Sequence, residues 1–331
     1  LQADIDFILG HGVELRTGVR IDGIEQLQAE GYKAIFIGAG AHTGRQLGIE
    51  GEDLDGVLDS LVMLRAHALD EPVDIGRHVA VIGGGNAAID AARTALRIGA
   101  ETVEILYRRT REEMPAYEEE IEAALEEGIG LTELVAPTRI VGRNGKVIGV
   151  EMVRMRLGDA DESGRRRPVP IDGTEFVVDC DTVVPAIGQK VSVETVRDAV
   201  VLTPWGTVKT DTVTCATSTV GVFAGGDCVT GGSTVVEAVG AGQKAAVAID
   251  RMLGGAGILP SNSGMSMYRA SEEDLEKIQP RAKEPVLPVD ERLAGFAEVV
   301  GGLRAEAACA EAGRCLRCDL ERAASGADRG E

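Results

Sequence analysis

The chain is poor in aromatic residues, which make up only 3% of its 331 positions. That excludes the rows of stacking rings on which proteins hold single-stranded nucleic acid. It is also short of positive charge: 34 lysines and arginines face 54 aspartates and glutamates, for a net charge of -20. A surface of that sign repels phosphate backbones and anionic lipids, so neither nucleic acid nor a membrane is an expected partner. No apolar run approaches the length of a membrane span, and no signal peptide opens the sequence. Six cysteines in a chain of this size make no disulfide framework and suit a reducing cytoplasm. The four histidines, His11, His42, His67 and His78, show no metal-ligand spacing. There is no G-x-S-x-G elbow, which argues against that type of serine hydrolase.

Glycine, by contrast, is abundant: 43 residues, placed in loops after apolar runs. Hydrophobic residues reach 44%, enough for sizeable cores, and the length suggests about two domains. The organising stretch is residues 78–109. An apolar run, His78-Val79-Ala80-Val81-Ile82, leads into Gly83-Gly84-Gly85-Asn86-Ala87-Ala88. A helical pattern follows from Ile89 to Ile98, and a second apolar run, Val103-Glu104-Ile105-Leu106-Tyr107, ends in Arg108-Arg109. This reads as strand, phosphate loop, helix, strand. Gly83 allows the tight turn, Gly85 lets a pyrophosphate approach the backbone, and Ala88 is small enough for close helix–strand packing. The helix that opens near Asn86 aims free N–H groups and its positive dipole end at the phosphates. An acidic residue about 20 positions on would hold a ribose 2′-hydroxyl. Arg108 and Arg109 stand there instead, and paired guanidiniums suit a 2′-phosphate, so the expected nucleotide is NADP rather than NAD.

Elsewhere the periodicity predicts helices over residues 1–9, 58–69, 117–127 and 235–253, the third presenting its glutamates as a solvated face. Short strands are expected over 13–15, 19–21, 32–37, 131–135, 176–178 and 182–184, with a strand pair over 205–210 around Gly206. Residues 139–157 alternate around Asn144-Gly145, a hairpin turn signal, and 159–167 form a charged loop tip. Gly38-Ala39-Gly40-Ala41 opens no second fingerprint, because Gly48, Gly51 and Gly56 with acidic residues between them cannot form the helix that should follow. Its small residues let another group pass close by.

Gly221-Val222-Phe223-Ala224-Gly225-Gly226-Asp227 reads as a strand ending in a carboxylate, before an Ala-rich helix. Such a carboxylate accepts a bond from a sugar-like hydroxyl, and the helix N-terminus supports negative charge on a ring. In the tail, Cys315-x-x-Cys318 has the spacing to clamp a metal or one edge of an iron–sulfur cluster, and Cys309 adds a third thiolate. A fourth ligand would come from elsewhere; the alternative is three reduced surface thiols. Cys180, Cys215 and Cys228 read as core or strand-end residues.

Together these motifs resemble those of flavoproteins with two dinucleotide-binding domains. Residues 221–227, followed by Glu237-Ala238-Val239-Gly240-Ala241-Gly242-Gln243-Lys244-Ala245-Ala246, look like their second FAD motif. Residues 83–88, with Tyr107-Arg108-Arg109 and Met114-Pro115, resemble the NADPH site of the branch that contains the small subunit of glutamate synthase. The resemblance covers about residues 1–255. It implies an α/β fold with two Rossmann-like domains. An NADP domain with a β-hairpin arm (58–188) would be inserted in an incomplete FAD domain (1–57 and 189–255), with an irregular C-terminal tail of short helices (256–331). It further implies that Asp227, beside Gly226, bonds the FAD ribityl chain, and that the helix starting at Thr234 or Val235 points at the flavin pyrimidine. Gly38, Ala39, Gly40 and Ala41 would pass close to the FAD, and Ala186, Ile187 and Gly188 would lie by the domain crossover.

The implied activity is an NADPH-dependent FAD oxidoreductase that feeds electrons to iron–sulfur centres or a partner subunit. It needs no catalytic side chain, since hydride transfer to flavin rests on positioning and exclusion of water. Two alternatives stay open: a disulfide or ferredoxin reductase on the same scaffold, or a non-catalytic NADP-binding piece. A thioredoxin-reductase reading is disfavoured, because residues 76–179 contain no cysteine. The first FAD fingerprint and the cysteine-rich region of the branch do not precede Leu1. The sequence is therefore expected to be a fragment or to rely on another chain for those parts, and to bind NADP better than FAD.

Overall fold

The structure is a computed structural model that describes residues 2–160, 164–193, 195–259 and 281–315. The chain forms two compact units, one of residues 1–43 with 189–259, the other of 44–188 with the residues from 260 on. The first unit begins with α1 (Gln2–Leu9) and α2 (Ile24–Ala29), then β1 (Ile35–Ile37); β2 (Thr43–Gly44) spans the point where the chain leaves it. The strands expected over 13–15 and 19–21 do not form. Val13, Leu15 and Val19 are exposed. A run of three residues with no buried face has nothing to hold it against a neighbouring strand.

The second unit contains α3 (Ser60–Ala68), β3 (His78–Ile82), α4 (Asn86–Arg97), β4 (Thr102–Tyr107), α5 (Glu118–Glu126) and β5 (Gly130–Glu133). Then come β6 (Val135–Arg143), β7 (Lys146–Ala160), β8 (Arg166–Pro170), β9 (Phe176–Val178) and β10 (Thr182–Pro185). Strands β10-β3-β4-β5 form a parallel sheet in that order. Parallel strands are covered on both faces, and the alternation of β3 shows it. Val79 and Val81 face Ala88, Ile89, Ala91, Ala92 and Ala95 of α4, while Ala80 and Ile82 belong to a second core with Val150 and Met152 of β7. The alanines let α4 lie close to the sheet. Strands β6, β7 and β8 make an antiparallel sheet with β9 against β7. The β6–β7 turn is Asn144-Gly145 with φ +53° and +79°, the primed turn that the dipeptide favours.

Two expectations are corrected here, for residues 44–57 and for the acidic helix. Residues 44–57 belong to this unit and not to the first: Leu47, Ile49, Leu54 and Val57 pack on the second core, and Val57 bridges Val183. The described part of the tail has the short helices expected of it. It carries helices Val289–Leu293 and Ala305–Cys315 and is strapped to α5, where buried Arg292 donates to Glu126 at 2.9 Å. The acidic helix is not a purely solvated face. Just past its end, the Glu127 side chain is fully buried and accepts from both Arg93 and Arg97 of α4.

The chain re-enters the first unit through β11 (Gln189–Lys190), β12 (Val222–Ala224), α6 (Asp227–Thr230) and α7 (Val235–Met252). Strand β12 lies parallel to β1, with Ile37 opposite Ala224. Ile24, Ile35, Ile37, Val208, Val222, Ala224 and Cys228 form the core. The expected strand pair around Gly206 reduces to one bridge, Leu202 to Val208. Among the described residues no helix is long and apolar enough to cross a membrane.

Candidate functional site

In the second unit, β3 ends in the glycine turn and α4 opens directly behind it. Each glycine is there for a different reason. Gly83 has φ +151°, and a Cβ on it would lie 2.3 Å from the Ala186 carbonyl oxygen. A Cβ on Gly84 would lie 2.5 Å from the Tyr107 ring. Gly85 is different: its φ of -93° suits any residue, and a Cβ there would meet only Pro115, at 3.8 Å. Neither backbone angle nor packing inside the protein requires a glycine there. Gly85 is also the N-cap of α4, and no side chain caps the helix. Of the first-turn N–H groups, that of Ala88 donates to the Gly85 carbonyl at 2.9 Å, while those of Asn86 and Ala87 have no helical acceptor. Ala88 is fully buried, and the Asn86 side chain is used locally, accepting from Tyr117 N at 3.0 Å.

Just beyond the end of β4, the two arginines part. Arg108 is exposed. Arg109 is 5% exposed and donates Nε to the Arg166 carbonyl at 2.7 Å, which ties β8 to this strand end. The expectation that both guanidiniums are free for a 2′-phosphate is therefore corrected: Arg108 is open to solvent, and Arg109 is engaged in the fold. Between them and α5, a turn at Arg111–Glu113 is closed by a capping box of Thr110 and Glu113. Burial pushes the Glu113 carboxyl up, but hydrogen bonds from Arg166 and Thr110 outweigh it and leave the group below the usual range. Past that turn, Ala116 N donates to the Gly84 carbonyl at 3.2 Å, so residues 114–117 lie along the glycine turn. Ile187 is exposed and Gly188, at φ +114°, accepts from Arg45 N; both follow Ala186, beside Gly83.

The first unit brings the other expected residues together at the ends of β1 and β12. Gly225 N donates to the Ile37 carbonyl at 3.1 Å, so residues 38–41 and 225–227 leave the strands side by side. Gly40 has φ +69° and Gly226 φ +72°; Ala41 is buried. The Phe36 ring lies under both loops, 3.2 Å from where a Cβ on Gly38 would be and 3.0 Å from one on Gly225. Asp227 is the first residue of α6 rather than a strand end, and its Oδ1 accepts from Ser233 N at 3.2 Å. Cys228 Sγ is buried against the Ile37 and Gly225 carbonyls, and burial pushes that thiol up. Thr234 caps α7 in a capping box with Glu237, while the N–H groups of Val235 and Val236 have no helical acceptor. Both valine side chains are 80% exposed.

Residues 1–242 match the pyridine nucleotide-disulphide oxidoreductase family. The chain belongs to that family. Its members are NAD(P)H-dependent flavoprotein oxidoreductases, in line with the expectation drawn from the motifs. Among its relatives in the family is the NADP(+)-dependent formate dehydrogenase subunit beta of Moorella thermoacetica. The two are 44% identical over 94% of this chain and 46% of that protein. The glutamate synthase [NADPH] small chain of Escherichia coli is 37% identical over 73% of this chain and 55% of that protein. The chain thus spans about half the length of the curated relatives it matches. The fold is shared with Mycobacterium tuberculosis FprA in complex with NADPH, at a TM-score of 0.58 and 19% identity over 71% of this chain and 67% of that one.

Tyr107 makes a floor under Gly84, and Glu113 pairs with Arg166; the sequence signal for the turn that carries Glu113 is Thr110-Arg111-Glu112-Glu113, the T-x-x-E signature of a capping box. Of the three tail cysteines, Cys309 is exposed, and Cys318 and the side chain of Cys315 lie outside the described residues. Among the described residues no group of three His, Cys, Asp or Glu is placed to hold a metal.

Proposed function

We propose that this chain is the nucleotide-handling part of an NADPH-dependent FAD oxidoreductase that passes electrons to a partner subunit. The observation that carries the reading is Gly85, a glycine that neither backbone angle nor packing requires, at the uncapped N-terminus of α4 and beside the open Arg108. In this reading residues 83–88 hold the NADP pyrophosphate and Arg108 takes the 2′-phosphate, with Arg109 behind it. Ile187 and Gly188 border the same nucleotide. Gly38, Ala39, Gly40 and Ala41 line the FAD, Gly226 and Asp227 take its ribityl hydroxyls, and the α7 N-terminus, capped by Thr234 and opening at the free N–H of Val235, faces its ring. The residues fit that group: the loops are small, the Asp227 carboxylate has one oxygen on Ser233 N, and the α7 N-terminus favours negative charge.

When bound, the two groups supply the hydride donor and acceptor. The chain's part is to position them and exclude water, so no side chain is assigned as acid or base. Cys309, Cys315 and Cys318 are the candidate ligands of an iron–sulfur cluster, completed by one more ligand. Relatives named as a beta subunit and a small chain support a partner subunit, and we place the protein in the cytoplasm. The test is titration with NADPH and NADH. Arg108→Ala should weaken NADPH by roughly 10- to 100-fold, the worth of one or two charge-assisted bonds, and leave NADH nearly unchanged. Equal weakening of both overturns the assignment. Absorbance in the blue on addition of FAD tests the flavin half, and a colourless protein counts against it.

A further inference from the structure

Glu113 has no part in the reading above, yet its environment is a built one. The side chain is 10% exposed and collects donors on both oxygens. Arg166 reaches Oε1 with Nε at 2.9 Å and with its backbone N at 3.1 Å. Thr110 reaches Oε2 with its N at 3.4 Å and its hydroxyl at 3.3 Å. The Glu113 carbonyl accepts the Tyr107 hydroxyl at 2.8 Å. Arg166 in turn holds Arg109 through its carbonyl. Arg108 therefore sits between two fixed neighbours. Tyr107 is fixed through the Glu113 backbone, and Arg109 through the residue that the Glu113 side chain grips.

This bracketing has a physical consequence. An arginine that grips a phosphate loses side-chain freedom, and it loses backbone freedom as well if its strand end is loose. Anchoring both neighbours removes the second loss before the ligand arrives. The pairing also matters for charge. An unpaired carboxylate five residues on from Arg108 would repel a dianion there, and Arg166 neutralises it.

We propose that Glu113 is a positioning residue for nucleotide choice: by clamping Arg166 and Tyr107 it fixes Arg108 for the 2′-phosphate. The inference rests on the NADP reading of the site. It makes the antiparallel sheet, through β8, a part of the adenosine end of the pocket.

The experiment is calorimetric titration of the whole chain with adenosine 2′,5′-bisphosphate and with 5′-AMP, which differ by the phosphate in question. Glu113→Ala should lower the affinity for the bisphosphate on the order of tenfold, the worth of one charge-assisted bond, and that for 5′-AMP by less than about twofold. Glu113→Asp should recover part of the difference. Arg166→Met removes the other half of the pair, should change the same ratio, and serves as the test if Glu113→Ala does not fold. A parallel loss for both ligands, or an unchanged ratio in both variants, overturns the inference. A wild-type chain that discriminates while Glu113→Ala discriminates equally well sinks the inference and leaves the NADP reading standing. A wild-type chain that does not discriminate sinks both.

Discussion

Removing the carboxylate of Glu127 should be the most damaging single change on the surface between α4 and α5. Its two oxygens accept four bonds: from Arg93 Nε at 3.1 Å and an Arg93 terminal nitrogen at 2.8 Å, and from both terminal nitrogens of Arg97 at 2.9 Å. The side chains are 0%, 16% and 5% exposed for Glu127, Arg93 and Arg97. Glu120 reaches Arg93 at 2.5 Å and completes the charge balance of two cations and two anions. Without Glu127, Arg97 keeps its bond to the Arg93 carbonyl but is left as a buried cation without its counter-charge. Breaking a buried pair in this way costs about 3–5 kcal/mol, against about 0–1 kcal/mol for an exposed pair. At about 2–4 °C per kcal/mol for a unit of this size, Glu127→Ala should lower the melting temperature by roughly 10 °C.

The pH dependence has a definite sign. Burial pushes the Glu127 carboxyl up, but the bonds from Arg93 and Arg97 outweigh it, so the folded value lies below the ordinary 4.5. A depressed value means that the contribution is complete above pH 4.5 and is lost as the pH falls through the folded value. The gap in melting temperature between wild type and Glu127→Gln should be widest near neutrality and close in acid. Replacing all three buried partners together with Leu or Met should restore much of the stability, because the one charge left without its partner, Glu120, is 44% exposed and solvated. Circular dichroism melts of the single and triple variants decide the matter. A loss under about 1 kcal/mol for Glu127→Ala would refute the claim that this cluster is desolvated.

Two further predictions concern the glycine turn and the thiols. Gly85→Ala should leave the melting curve unchanged, since its Cβ meets only Pro115 at 3.8 Å, yet weaken NADPH binding by about tenfold or more; retained binding would remove the reason given for that glycine. Gly84→Ala should instead lose about 1–3 kcal/mol of stability by pressing on the Tyr107 ring, checked by the same melts. With a thiol reagent at pH 8, Cys309 should react in the folded chain well before Cys180, Cys215 and Cys228. Burial, with Asp181 and Asp179 nearby, pushes the Cys180 thiol up to about 12, so only roughly one molecule in ten thousand is thiolate there. Peptide mapping that finds Cys180 labelled as fast as Cys309 would contradict its burial.

The strand–loop–helix–strand stretch was legible because its signals are local. A buried parallel strand such as His78–Ile82 is one continuous apolar run, and the alanines of Asn86–Arg97 mark the face that meets it. The primed turn at Asn144-Gly145 was legible for the same reason. What failed was set by partners far along the chain. Residues 44–57 look like a glycine-rich loop, and partners distant in sequence, Arg139, Lys146 and Val183, reveal where they attach. Residues 13–15 and 19–21 have strand-like residues but no strand to pair with. The parting of Arg108 and Arg109 could have been foreseen, since neighbours on an extended chain point to opposite sides. The burial of Glu127 could not, because nothing in an acidic helix says which carboxylate will meet two arginines.

The pairing of β1 with β12 also sets a timetable for synthesis. Residues 35–37 leave the ribosome long before residues 222–224 exist, and everything in the second unit up to Gly188 is made in between. At ribosomal rates of roughly 5–20 residues per second, the older strand waits about 10–40 s for β12. The nascent nucleotide unit can finish its own sheet during that wait. The polypeptide thus emerges with its inserted lobe folded and its outer lobe still open, and a chaperone that shields naked strand edges would act on the outer lobe first.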